Sequence, residues 1–378
     1  MSKVLIADII FVMKYILVIA ALLIIGGVIY INTDKIMPED MKLDNILKSA
    51  KLPVKGEAPE LAGIDGWINS EPLTLEELRG KVVLVDFWTY TCINCIRTFP
   101  HITAWYEKYK DNGFVLLGIH SPEFRFEKEK ENVEREARKN NLTYPIALDN
   151  DMKTWNAFAN RYWPAKYLLD VEGNIRYIHF GEGRYEETEK AIQQLLLEAG
   201  HLSVNEVAEV KEAAMGVDIS KIGTPEIYLG YLRINNLGNK DEEVLPDTTH
   251  TFSEVKSVEE NRFYFVGDWK IEREFSEFVG EPASPAGKII IRYKANKINV
   301  VLDTKDGVAV PLELKLDGEY LIEQNKGADV IMDNGKSTVN VLSPGFYNLV
   351  DTGEEYEWHT LEIIINSSGL QAFAFTFG

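Results

Sequence analysis

The chain has 378 residues and a formal net charge of −19, an acidity that argues against nucleic-acid binding, which favours basic stripes. Its length exceeds one ordinary domain, and an apolar content of 46% suffices for two separate cores. Two cysteines in the whole chain suit a redox enzyme and not a disulfide-stapled scaffold.

From Ile9 to Ile31 the chain is apolar apart from Lys14. At about 1.5 Å per residue, a helix of this length reaches across a bilayer core of about 30 Å. Lys3 lies on its N-terminal side, Lys14 can snorkel that way, and Glu39 and Asp40 follow on the other side. That balance puts the N-terminus in the cytoplasm and everything beyond the helix outside. A cleaved signal peptide is the competing reading, but the apolar core is too long and no small-x-small site follows. Residues 1–31 are therefore expected to be a cytoplasmic N-terminus and transmembrane anchor, and the polar residues 32–51 a stalk.

Next, an apolar strand, Val83-Leu-Val-Asp-Phe-Trp88, runs into Cys92-Ile-Asn-Cys95. Cys-x-x-Cys after a strand is the signature of a thiol–disulfide redox centre. Exchange needs an accessible thiolate. The first turn of a helix supplies unpaired N–H groups and a partial positive charge, which favour a thiolate at Cys92. Cys92 is thus expected to attack and Cys95, one turn deeper, to resolve the mixed disulfide. Asp86, on the strand, would have its pKa raised by burial and could move a proton to or from Cys95. Three other readings compete. Half a zinc site would need further soft ligands, and the six His show no paired spacing. A purely structural disulfide would gain little entropy from so short a loop. A peroxidatic cysteine fits Thr89-x-x-Cys92, but Val85 stands where such sites carry a proline.

Beyond the motif, Ile96, Phe99, Ile102, Trp105, Tyr106 and Tyr109 recur at helical spacing as a core stripe. Pro100 would kink that helix. A buried strand over 113–119, a charged helix over about 127–140, a strand over 144–148 and a helix over 152–159 follow. Two strands, 165–169 and 175–180, are joined by the turn Asp170-Val-Glu-Gly-Asn174, and an amphipathic helix spans 186–199. This is an α/β domain. Glu123, just past a central strand's C-terminal end, is a candidate second acid near the thiols, against its plainer reading as a solvated loop carboxylate. His120 reads as structural.

The segments Gly63-Ile-Asp-Gly-Trp67, Pro72-Leu-Thr-Leu-Glu-Glu-Leu-Arg-Gly80, Val85-Asp-Phe-Trp-Thr-Tyr-Thr-Cys-Ile-Asn-Cys-Ile-Arg97, Gly118-Ile-His-Ser-Pro-Glu-Phe124 and Tyr162-Trp-Pro-Ala165 carry a resemblance. Through them residues 52–200 resemble the thioredoxin fold in its extracytoplasmic TlpA/ResA-type form, and more narrowly the thioredoxin-like module of DipZ-type proteins. The resemblance implies that Pro164 is a cis-proline beside the disulfide, where substrate backbone docks. From the residues alone, Pro164 is an X-Pro before a strand, for which cis is the minority isomer. The resemblance also implies that Trp88 packs near the thiols, that Trp88 and Trp163 bind substrate, and that Asp86 is the buried acid. Ile93-Asn94 replaces the Gly-Pro of thioredoxin, so no reduction potential carries over, and the bulk of Trp163 narrows substrate choice.

Residues 201–222, rich in Glu, Lys and Ala, read as a partly helical linker. From 223 to 378 short apolar runs of period two alternate with turns such as Asp317-Gly318 and Pro344-Gly345, the pattern of an antiparallel β-sandwich or jelly roll. Thr224-Pro-Glu-Ile-Tyr-Leu-Gly230 and Gly267-Asp-Trp-Lys270 resemble the C-terminal domain of DipZ-type proteins, which looks like a carbohydrate-binding jelly roll. Tyr228, Trp269, Tyr347 and Trp358 are candidates for a sugar platform, or else ordinary sandwich core. The sandwich holds no Cys, so it is expected to position the redox domain or a partner and to take no part in exchange, and the polar, flexible linker suits independent domains.

These expectations combine into a membrane-anchored, outward-facing thiol–disulfide oxidoreductase of thioredoxin-like fold with a β-sandwich appended. It would use no cofactor besides the Cys92–Cys95 couple. Its substrates would be protein disulfides, such as those of apocytochromes c. With one anchor helix, its electrons would come from a separate, CcdA-like membrane thiol reductase, as the resemblance implies. The alternative is a surface-anchored binding protein whose sandwich holds a carbohydrate or protein, with an inert disulfide.

Overall fold

The computed structural model describes residues 51–202, 217–239, 245–280 and 286–378. The anchor expected at 9–31, nearly all of the stalk and most of the linker lie outside the described residues. Among the described residues, no helix is long and apolar enough to cross a membrane.

The first unit is built on strand β3 (Val82–Trp88), buried along its whole length. It lies between β4 (Phe114–His120), which runs parallel to it, and β6 (Ala165–Leu169), which runs antiparallel. Outside these come β5 (Ile146–Leu148) and β2 (Gly66–Ile68) on one side, and β7 (Asn174–Phe180) and β1 (Gly56–Glu57) on the other. Because successive strand residues face opposite ways, β3 feeds two cores. Val83, Val85 and Phe87 pack with Trp155 and Phe158, from the short helix α3 (Lys153–Ala157) and its C-terminal cap. Val82, Leu84 and Trp88 face α1 (Ile93–Tyr109) and α4 (Tyr185–Glu198), where Phe99, Ile102, Ile192 and Leu195 meet them. Asp86 shares this second face by the same alternation. Pro100 lies inside α1, which continues to Tyr109. The charged helix expected over 127–140 is shorter: a 3₁₀ turn spans Arg125–Lys128, and α2 spans Lys130–Lys139.

The second unit is a sandwich of antiparallel strands. β16 (Ile331–Asp333), β17 (Lys336–Val341), β14 (Val310–Leu316), β19 (Trp358–Ile365) and β12 (Gly287–Lys294) lead to β10 (Arg262–Ile271). The other sheet continues from β10 through β11 (Ser276–Phe278), β20 (Leu370–Phe377), β13 (Lys297–Thr304) and β18 (Gly345–Asp351), with the short β8 (Ile227–Tyr228) paired to β20. Strand β10 belongs to both sheets: Arg262–Val266 pair with β12, and Gly267 onward pairs with β9 (Thr249–Phe252). The change of sheet falls at Gly267, whose φ of +87° favours a residue without a side chain. Trp269, named above as a sugar-platform candidate, is instead fully buried; its indole N–H donates to the Val266 carbonyl. Tyr347 and Trp358 stand on strands of different sheets, so the four aromatics form no common face.

The expectation of independent domains is also corrected. Phe124 from the first unit is buried with Val301, Phe373 and Ala374 from the second. Phe373 makes edge contacts with Phe124 at 5.1 Å and Phe126 at 4.9 Å. Arg135 donates to the Pro344 carbonyl at 2.8 Å, and Arg97 to the Gly378 carbonyl at 2.9 Å. Such a seam combines an apolar centre with hydrogen bonds at its margin, as specific interfaces do.

Candidate active site

Cys92 caps the N-terminus of α1, with φ −78° and ψ 111°, and its Sγ accepts the Cys95 N–H at 3.4 Å. The Cys92 carbonyl takes the first helical hydrogen bond, from Ile96 N–H. Cys92 remains half-buried, whereas Cys95 is fully buried, and both are free thiols. Burial pushes the Cys95 thiol well above its ordinary range; the neighbouring Cys92 and the Asp86 charge add to the shift. One sulfur is therefore reachable and the other is held protonated behind it.

Asp86 lies in the layer beneath these thiols and has no solvent exposure. Desolvation raises its pKa, and Lys166 pulls it back. Lys166 is directly opposite Asp86 in the β3–β6 register, is 1% exposed, and places Nζ 3.1 Å from Oδ1. The contact is ionic but not aligned as a hydrogen bond, so Nζ and both carboxylate oxygens lack hydrogen-bond partners. The Trp88 Nε1 and Tyr144 hydroxyl are likewise buried without partners. Gly118, paired with Asp86 in register, leaves room here: a Cβ on it would sit 2.8 Å from both Trp88 Nε1 and Tyr144 Cε2. Leaving a buried polar group unpaired costs about 1–3 kcal/mol, so a cluster of them marks a functional layer more than a structural one.

The remaining sequence candidates divide. The Trp163–Pro164 peptide bond is cis. Trp163 donates its indole N–H to the Ser121 carbonyl at 3.0 Å and packs on Trp155, with its ring at the cleft. Trp88 is a correction: it is fully buried between Phe99 and His120, because its place on β3 points it under α1, and it does not reach substrate. Burial drives the pKa of His120 down to about 3, so it is a neutral ring stacked against Tyr90 in the core. Glu123 is not a free loop carboxylate. It accepts from Tyr228 Oη at 2.9 Å and from Arg233 Nη1 at 2.6 Å, both in the sandwich domain.

Several residues here escape sequence reasoning. Glu127, fully buried, accepts from the Thr91 hydroxyl at 2.5 Å and from the N–H groups of Glu123 and Phe124. It thereby ties the residue before Cys92 to the loop after β4. Burial, then the Glu123 charge, raises its pKa to about 7. Lys166 gave no signal because one lysine in a strand can face either side. Tyr228 and Arg233 complete the site from far along the chain. A cavity of about 370 Å³ opens above Cys92, with Glu123 and Trp163 on one wall and Glu226, Tyr228 and Arg233 on the other.

Residues 54–178 match the AhpC/TSA family, and residues 224–378 match the family described as "Thioredoxin like C-terminal domain". Protein DipZ of Mycobacterium tuberculosis is 35% identical over 334 residues, which are 87% of this chain and 44% of that protein. The chain thus spans under half of that relative's length. Thiol-disulfide oxidoreductase ResA of Bacillus cereus is 25% identical over 38% of this chain and 80% of its own. Thiol-disulfide oxidoreductase YkuV of Bacillus subtilis is 31% identical over 37% of this chain and 94% of its own. With nearly the whole of that enzyme matched, and a domain that presents a half-buried thiol over a buried one, the chain belongs to the thioredoxin-like thiol–disulfide oxidoreductases of the TlpA/ResA type, and is an enzyme of that class.

Proposed function

We propose that this enzyme reduces disulfides in extracytoplasmic proteins through Cys92 and Cys95, held at the membrane by residues 9–31. The observation that carries this reading is the pairing of a reachable Cys92 with a buried, proton-holding Cys95 above Asp86. The Cys92 thiolate attacks one sulfur of the substrate disulfide; that bond breaks, and the departing substrate thiolate takes up a proton. Asp86, whose raised proton affinity narrows its gap to the thiol, accepts the Cys95 proton. Cys95 then attacks Cys92 Sγ, closing the Cys92–Cys95 disulfide and releasing the second substrate thiolate. Two electrons have passed to the substrate, and a dithiol donor, a CcdA-like membrane reductase, returns them. The Trp163–Pro164 segment, beside the cleft, receives the substrate backbone. Apocytochrome c in cytochrome c maturation is the substrate this assignment favours.

Insulin reduction with dithiothreitol as donor tests the chemistry. Cys92→Ser should abolish the catalysed rate above the uncatalysed background, while Cys95→Ala, given the disulfide substrate without dithiothreitol, should accumulate mixed disulfides on Cys92. Retained turnover in Cys92→Ser, or trapping by Cys92→Ala in place of Cys95→Ala, would overturn the assignment. Labelling of introduced surface cysteines in intact cells by a membrane-impermeant maleimide tests the outward orientation, and absence of labelling counts against it.

A further inference from the structure

A substrate disulfide that reaches Cys92 must enter a cleft of about 370 Å³ whose second wall is the sandwich domain. The charges on its walls are not equally available. Arg233 is held by Glu123 at 2.6 Å, with its guanidinium 3.6 Å from the centre of the Tyr228 ring. Arg97 is held by Glu182 at 2.6 Å, by Asn94 and by the Gly378 carbonyl. Glu226 has no ion-pair partner among the described residues, and it stays open to solvent within the cleft. A second group awaits a polar ligand. Thr376 lines the same cleft, is 2% exposed, and its hydroxyl has no hydrogen-bond partner.

We propose that Glu226 is a specificity-determining residue: the sandwich domain selects substrate segments that carry a cationic side chain next to the target cysteine. Glu226 offers its carboxylate to the incoming cation, and the Thr376 hydroxyl is a second acceptor. Both guanidinium groups in the cleft are already neutralised by carboxylates, so neither opposes the cation. An anionic flank would meet Glu226, which no ion pair among the described residues holds, and like-charge contact is the stronger discriminator. The groups facing Glu226 are Glu123, Tyr228 and Arg233, with Cys92 and Arg97 in the same cleft. Although the residue is exposed, the cleft walls desolvate its carboxylate, and with the charge of Glu123 this raises its pKa to about 7, while Tyr228 and Arg233 pull it back.

The inference rests on Cys92 being the attacking thiol, and its test separates the two. Two fluorogenic peptides, each closed by one internal disulfide and differing only in Lys or Glu beside the first cysteine, are reduced by the full chain at pH 8 with dithiothreitol as electron donor, its uncatalysed rate on each peptide subtracted. The wild type should prefer the Lys peptide by about fivefold or more in kcat/KM. Glu226→Gln should bring that ratio close to one, while Glu319→Gln, a remote exposed carboxylate on β15 (Glu319–Tyr320), should leave it unchanged. At pH 6, where Glu226 is mostly protonated, the wild-type ratio should shrink. Equal rates on both peptides, or an undiminished ratio in Glu226→Gln, would overturn the inference. Turnover of both peptides surviving in Cys92→Ser would instead overturn the assignment of the nucleophile.

Discussion

Asp86 and Lys166 share one fully buried layer, and neither is sustained there by hydrogen bonds. Removing one partner of a buried ion pair leaves an uncompensated charge, which typically costs about 3–5 kcal/mol, unless the survivor neutralises itself by titration. A carboxyl can do so by taking a proton. Desolvation already raises the Asp86 pKa, and Lys166 is what restrains it. In Lys166→Met the restraint is gone, so Asp86 should stay protonated to higher pH. Turnover that needs ionised Asp86 should then have its rising limb displaced upward, and a pH–rate profile with insulin reads this directly. A limb that stays put or moves down would end the role given to Lys166. Asp86→Asn, which removes the proton acceptor, should slow turnover by about 10²–10⁴-fold. Asp86 was legible from its spacing to Cys92 on an apolar strand. Lys166 was not, because only the pairing of β6 between β3 and β7 decides which face of Ala165-Lys-Tyr-Leu-Leu169 is covered.

At the level of elements, the stretch between β4 and α2 does more than connect them. Glu127 gathers the hydroxyl of Thr91 and two backbone N–H groups, so it holds the turn that delivers Cys92 to its helix. Its folded pKa of about 7 lies above the ordinary value of 4.5. The folded state therefore binds the proton more tightly than the unfolded one. The resulting stability is full below about pH 4.5 and fades as pH rises through about 7, a change of about 3 kcal/mol. Glu127→Gln should flatten the fall in melting temperature between pH 5 and pH 8; an equally steep fall would show that another group titrates there. Periodicity revealed α1, α4 and most of the longer strands, because their apolar stripes are long, but not the short β1, β2 and β11 or the half-buried β18. It overextended α2, since the charged run 125–129 has no stripe to arbitrate between 3₁₀ and α, and burial of Glu127 is settled by hydrogen bonds outside the run. The turn at Gly267 was equally hidden, as a strand that changes sheets keeps the same alternation on either side of the change.

The whole molecule is governed by its seam. Contacts such as Glu123 to Arg233 join residues 110 positions apart, and no local pattern announces them. Phe373 packs into the seam and not into the main sandwich core, so it can be changed without emptying that core. Phe373→Asp should part the domains. Its radius of gyration by small-angle scattering should increase, and one cooperative unfolding transition should become two. An unaltered radius with a single transition would mean that the polar contacts alone hold the seam. The placement of Cys92 at this boundary has a further consequence, which follows from thermodynamic reciprocity. If docking is tighter with the dithiol than with the disulfide, then docking shifts the redox equilibrium by that same free energy. Each 1.4 kcal/mol of preference for the dithiol makes the midpoint potential about 30 mV less negative. The potential is then a property of two domains, although only one contains sulfur at the couple. Redox titration of the wild type and Phe373→Asp measures the linkage, and the separated domains should titrate at a different potential; coincident titrations would mean that docking is blind to the oxidation state of Cys92 and Cys95.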